Sequence, residues 1–163
     1  MFVPITKLLS LRGRRALVTG AASGIGEAIS LRFAEAGAEL YLVDVNEHGL
    51  KNVRKRIEKE FDVGVELFRV DLSSRKEIDG LWIKLRGREP DILVNNAGIY
   101  PFQDFLSVDE ELLEKTLAVN LKAVFLDVSA HDKEQNRSRW GGNKHRIHRG
   151  YNTVGEGPRS LRC

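Results

Sequence analysis

The chain has 163 residues, 42% apolar and 30% charged, which suits one globular domain and excludes a disordered or fibrous class. No run approaches 18 uncharged apolar residues, so no membrane-spanning helix and no membrane partner is expected. The N-terminus is apolar first and basic last, the reverse of a secretory signal. The only cysteine is Cys163, which leaves no internal disulfide and no thiolate metal cluster, and the expected compartment is the cytoplasm.

The net charge of +3 is unevenly spread. Residues 131–163 hold eight basic residues against three acidic ones, net +5, and three of the four histidines (His131, His145, His148). The preceding 130 residues are net −2. In that tail the only Ile, Leu or Val residues are Ile147, Val154 and Leu161, too few to offset the entropy of ordering it. A boundary near residue 128 is expected, with 1–128 as the folded portion and 129–163 as an irregular basic tail.

The folded portion alternates strand and helix. Ala16-Leu17-Val18 reads as a buried strand ending at the breaker Thr19-Gly20. From Gly24 a helical period follows, with Ile25, Ile29 and Phe33 four apart and Gly37 as the stop. Leu40 to Val43 is a second strand ending at Asp44, and Asn46 can cap a charged helix running to about Glu60. Val65 to Val70 is a third strand, ending at Asp71. Ser74 with Glu77 fits a capping box for a helix carrying Ile78, Leu81 and Leu85. Ile92-Leu93-Val94 is a fourth strand, running into Asn95-Asn96-Ala97-Gly98. Ser107 with Glu110 fits a second capping box, before a helix with Leu113, Leu117 and Leu121 on one face, then Val124 and Phe125. The order β-α-β-α-β-α-β-α with continuous apolar strands predicts an α/β fold, a doubly wound parallel sheet with ligands at the strands' carboxyl ends.

The chemistry gathers at those ends. Thr19-Gly20-Ala21-Ala22-Ser23-Gly24-Ile25-Gly26 lies between the first strand and the first helix. Its glycines allow a tight turn and let backbone approach a pyrophosphate at the helix N-terminus. Asp44 ends the second strand 18 residues after Gly26. A carboxylate there accepts hydrogen bonds from an adenosine ribose and repels a 2′-phosphate, and no Lys or Arg lies between Gly20 and Gly26 to offset it. NAD is therefore expected over NADP. The bland alternative, that Asp44 only caps the next helix, stays open.

The spacing T-G-x-x-x-G-x-G resembles the short-chain dehydrogenase/reductase family, with its Rossmann fold, over roughly residues 11–128. Asp71-Leu72 is similar to the family's adenine contact, Asn95-Asn96-Ala97-Gly98 to its motif after strand four, and Asn120 to its active-site asparagine. The resemblance implies cofactor contacts from Gly20, Ser23, Gly24, Ile25, Gly26, Asp44, Asp71, Leu72, Asn96, Ala97 and Gly98, with Asn120 positioning a proton-relaying water. It also implies hydride transfer between nicotinamide and a secondary alcohol or ketone, and a homo-oligomer for a complete enzyme.

The family's serine and Tyr-x-x-x-Lys are not identifiable. Four residues after Tyr41, Tyr100 and Tyr151 stand Val45, Asp104 and Gly155, and no fifth strand is readable after 128. These 163 residues are therefore expected to be inactive, with the tail an out-of-frame reading of an ordinary family member. Read one nucleotide later, the codons for His131–Asn136 admit Met-Ile-Lys-Asn-Lys. Those for Asn143–Tyr151 admit Ile-Asn-Ile-Ala-Ser-Ile-Ala-Gly, similar to the family's fifth strand with its serine. A tyrosine is admitted across Leu161 and Arg162.

Two other classes fit parts of the pattern. A non-catalytic dinucleotide-binding module would keep the same glycines and acids. The basic tail attracts phosphates, but with only Trp140 and Tyr151 interleaved and no recognition motif, nucleic acid is not an expected partner. Tyr100, Phe102 and Phe105 either line the substrate side or belong to the core, the commoner fate of such residues.

Overall fold

A computed structural model describes residues 8–102 and 104–139. Strands β1 (Arg15–Thr19), β2 (Glu39–Asp44), β3 (Val65–Arg69) and β4 (Ile92–Val94) form one parallel sheet in the order β3-β2-β1-β4. The helices are α1 (Gly24–Glu35), α2 (Glu47–Glu60), α3 (Arg75–Lys84), α4 (Glu110–Leu117) and α5 (Ala123–Arg139). A short 3-10 turn at Phe105–Ser107 precedes α4, and a π-helical turn at Ala118–Lys122 joins α4 to α5.

Alternation along the strands builds two cores. Ala16, Val18, Leu40 and Leu42 face α1 and α2, where Ala34, Leu50, Val53 and Ile57 meet them. Leu17, Tyr41, Val43 and Phe68 face the other way, against Ile78, Leu81 and Trp82 of α3 and Ala123 of α5. Both faces of the inner strands β1 and β2 are covered, which is why they read as apolar runs, whereas β3 at one edge carries exposed Glu66 and Arg69 and β4 at the other is half-buried. The chain is thus the doubly wound α/β sheet its pattern implies.

Local chemistry sets the helix starts, with two departures from expectation. Asn46 caps α2 by accepting from the Gly49 N–H (3.0 Å). Ser74 caps α3 by accepting from the Glu77 N–H (3.4 Å), but the Glu77 carboxylate goes to the Asp71 N–H (2.8 Å) rather than back to Ser74. The cap of α4 is Asp109, accepting from the Leu112 N–H (2.8 Å), so Ser107 is not the cap and the helix starts two residues later. An aspartate immediately before the first helical residue outcompetes a serine that the 3-10 turn has already taken up.

In α1 the buried face is Gly26, Ser30 and Ala34, while Ile25 is exposed and Ile29 and Phe33 are half-buried. The four-residue apolar spacing pointed one position away from the true contact face. Only small residues fit where the helix comes down on the glycine turn, and the bulky ones are displaced to its flanks.

α5 continues past residue 128 to Arg139. Ala130 packs on the second core, and His131 places Nε2 2.9 Å from the Pro90 carbonyl with its ring edge-on to Trp82. The first part of the basic segment is therefore helical and docked. Residues 140–163, which hold the remainder of the expected irregular tail and the out-of-frame serine and tyrosine, lie outside the described residues. Among the described residues no helix is long and apolar enough to cross a membrane.

Candidate functional site

The carboxyl ends of β1, β2 and β4 and the segment after β3 converge on one cleft. At the end of β1, Gly20 has φ +66, and a Cβ there would lie 2.9 Å from the Ala97 Cα. A Cβ on Gly26 would lie 2.1 Å from the Gly20 carbonyl oxygen. The turn therefore closes on itself and on the β4 segment with no room for a methyl group. Gly24 opens α1, and Ser23 is its N-cap with extended backbone and no side-chain cap bond. The first N–H groups of α1 are thus left for another acceptor, the geometry that suits a phosphate. Glu27, the acidic residue in that first turn, is ion-paired with Arg56 of α2. Ile25 projects to solvent beside the turn.

Thr19 and Asn96 stitch β1 to β4. The Thr19 hydroxyl, 1% exposed, donates to the Val94 carbonyl (3.3 Å) and accepts from the Asn96 and Ala97 N–H groups (both 3.0 Å). The Asn96 amide donates to the carbonyls of Thr19 (3.0 Å) and Gly20 (3.3 Å). Asn96 thereby holds the turn and lies behind it rather than in the cleft wall.

A cavity of about 240 Å³ opens here, lined by Gly20, Asp44, Asp71, Leu72, Ala97 and Gly98 among others. Asp44 accepts from the Ala22 N–H through Oδ2 (3.0 Å) and from the Asn46 N–H through Oδ1 (2.9 Å). Each oxygen keeps a second lone pair for a ligand hydroxyl. Asp71 accepts both the N–H (2.8 Å) and the hydroxyl (2.7 Å) of Ser73 on Oδ1. The Ser73 hydroxyl above all, then its N–H, hold the Asp71 carboxyl below the usual carboxylate range.

Asn120 sits within the π-helical turn. Its Oδ1 accepts from the Ile99 N–H (2.8 Å) and its Nδ2 donates to the Ile99 carbonyl (2.9 Å). The side chain therefore fixes the backbone just after Gly98, whose notional Cβ would lie 3.4 Å from Asn120 Oδ1. Helical periodicity gives no sign of the π turn, which shifts the backbone phase locally.

Three cleft features carry no strong sequence signal. Lys115 and Val119 line the cavity from α4 and the π turn, and Thr19 is the buried knot behind it. A strand-ending Thr before a glycine turn is the one cue that points to Thr19. Tyr100 and Phe102, expected in the core, are 88% and 99% exposed; the loop carrying them has left the sheet before any helix can cover it. A larger groove of about 740 Å³ runs along β3 between α2 and α3 and shares only Val70 with the cleft. It reaches the end of β3 at Arg69 and Val70 but none of the ends of β1, β2 or β4.

The family profile described as short chain dehydrogenase matches residues 14–141. An uncharacterized oxidoreductase of Thermotoga maritima is 35% identical over 134 residues, covering 82% of this chain and 53% of that protein. A short-chain type dehydrogenase/reductase from Mycobacterium marinum superposes with a TM-score of 0.77 at 30% identity, over 86% of this chain and 57% of the other. L-sorbose reductase from Gluconobacter frateurii, solved with NADPH and L-sorbose, superposes with a TM-score of 0.73 at 27% identity, over 80% of this chain and 50% of the other. The chain spans about half the length of the curated relatives it matches.

Proposed function

The chain belongs to the short-chain dehydrogenase family, and from that premise we propose that it holds the cofactor site of an NAD(H)-dependent oxidoreductase acting on a secondary alcohol or ketone. The observation that carries this reading is the cradle at Gly20 and Gly26, closed to any Cβ, in front of an α1 N-terminus with no side-chain cap. In this reading the N–H groups of α1 hold the pyrophosphate, Asp44 accepts the adenosine ribose hydroxyls, and Asp71 with Leu72 holds the adenine. A bound nicotinamide would supply the hydride chemistry.

L-sorbose reductase is described with NADPH, and a nicotinamide cofactor suits both proteins. The preference for NAD in this chain rests on Asp44, whose carboxylate repels a 2′-phosphate at the rim of the cavity. Asn120 supports the active-site side by pinning the Ile99 backbone.

Transfer of the substrate proton needs a phenol brought within reach of neutral pH. Tyr41 is buried, with its hydroxyl donating to the Arg88 carbonyl (2.9 Å). Tyr100 and Tyr151 have Asp104 and Gly155 where a lysine would stand. A polypeptide of these 163 residues therefore binds NAD without turning over an alcohol, which also describes a non-catalytic dinucleotide-binding module. The segment from 129 is proposed to be an out-of-frame reading, and the whole enzyme to be a cytoplasmic homo-oligomer. Calorimetric titration with NAD, beside an NADH absorbance assay with secondary alcohols, tests the site: binding without turnover is expected, and no binding refutes it. Resequencing the gene across codons 124–163 tests the frame.

A further inference from the structure

We propose that Ser73 and Glu77 are positioning residues that fix Asp71 as the base-reading acceptor of the dinucleotide site, so that the chain discriminates an adenine from a hypoxanthine base; this rests on the cofactor reading above. The observation is a diverted helix cap. In a capping box the Glu side chain returns to the N–H of the capping residue. Here Glu77 Oε2 instead takes the Asp71 N–H at 2.8 Å, and the Ser74 N–H goes to the Asp71 carbonyl at 3.0 Å. Both backbone polar groups of Asp71 are thereby held by the start of α3.

The side chain is held as well. Ser73 gives both its N–H and its hydroxyl to the same carboxylate oxygen, Oδ1. A carboxylate oxygen has two acceptor sites, so Oδ1 is filled. Oδ2 takes no hydrogen bond among the described residues, in a residue that lines the cavity. The arrangement presents one oriented, acceptor-only oxygen. Leu72 and Val119, both nearly buried, supply apolar wall beside it.

Such an oxygen favours a ligand edge carrying an N–H donor. The exocyclic amine of adenine is a donor, whereas hypoxanthine has a carbonyl oxygen at the same position. A carbonyl facing Oδ2 places two acceptors together and loses a charge-assisted hydrogen bond. Loss of Ser73 would free the carboxylate to rotate toward solvent, and loss of Glu77 would release the backbone from which it projects; in either case the discrimination would fall.

The test is calorimetric titration of the full 163-residue chain with NAD and with nicotinamide hypoxanthine dinucleotide. The chain is expected to bind NAD about tenfold or more tightly than the analogue, the scale of one charge-assisted hydrogen bond. Ser73→Ala and Glu77→Ala are expected to bring that ratio to roughly 2–3 by weakening NAD alone, while Ser73→Thr and Glu77→Gln, which keep the hydrogen-bonding atoms, restore it. An equal loss for both dinucleotides would mean a merely structural role and would overturn the proposal. Wild-type chain that binds both equally would overturn it while leaving the cofactor site standing. Failure to bind either would remove both.

Discussion

Helix α2 and the α4–α5 helices carry similar apolar spacing and meet opposite fates. In α2, Leu50, Val53 and Ile57 are sealed in one core with Val18 of β1 and Leu40 and Leu42 of β2, none of them more than 1% exposed. In α4 and beyond, Leu113, Leu121 and Phe125 are 50%, 53% and 71% exposed, α4 has no buried residue, and β4 is only half-buried along its length. Periodicity marks which face of a helix is apolar. Whether anything covers that face depends on neighbours that the helix itself does not encode.

The largest effect that would sharpen this contrast is on stability. Leu42→Ala should cost about 3–5 kcal/mol, because a sealed site cannot collapse around the void. Leu121→Ala should cost under about 1 kcal/mol. Urea unfolding of the two variants measures the gap, and comparable losses would break the comparison. Next in size, Phe125→Glu should leave the melt unchanged and reduce self-association in analytical ultracentrifugation, since an exposed apolar stripe gains solubility from a charge. A melt lowered by several degrees would show the stripe to be covered in solution.

A smaller effect separates the flanks by pH. Asp127 of α5 is 1% exposed, accepts the Trp82 indole N–H (3.0 Å) on Oδ1, and has no partner on Oδ2 among the described residues. Burial pushes its carboxyl above the usual range, with the Trp82 bond opposing. The folded chain therefore keeps a proton that the unfolded chain has lost, and stability falls as pH rises between the two values. Asp127→Asn should melt higher than the parent at alkaline pH, with the gap closing in acid. Asp91 behaves oppositely. The Arg15 N–H, with the Arg14 guanidinium, holds its carboxyl below the usual range. Its contribution is present above the ordinary carboxylate value and is lost as pH falls through the lowered one. Asp91→Asn should therefore destabilise slightly at neutral pH and not in acid.

The fold was legible because its inner strands β1 and β2 are buried on both faces, so their apolar runs have a single reading. The cleft was legible where geometry demands a particular residue, as at Gly20 and Gly26, or where an acid ends or closely follows a strand, as at Asp44 and Asp71. Contacts set by tertiary approach were not. The buried face of α1 depends on how closely it meets the glycine turn, so Ser30 and Ala34 replace Ile29 and Phe33 there. Glu77 satisfies every sequence criterion for a capping box, yet bonds to Asp71, because the preceding strand places that N–H within reach. The helix beyond residue 128 escaped notice because Ala130 and His131 dock on Trp82 through shape and one carbonyl rather than through an apolar stripe.

The most direct test of the cofactor site compares the affinities of NAD and NADP for the 163-residue chain and for Asp44→Ala. The expected result is that NAD binds about tenfold or more tightly to the parent, with the preference largely gone in the variant, since one like-charge contact of this kind is worth about 1–3 kcal/mol. Equal or tighter binding of NADP by the parent, or an unchanged ratio in Asp44→Ala, would contradict it.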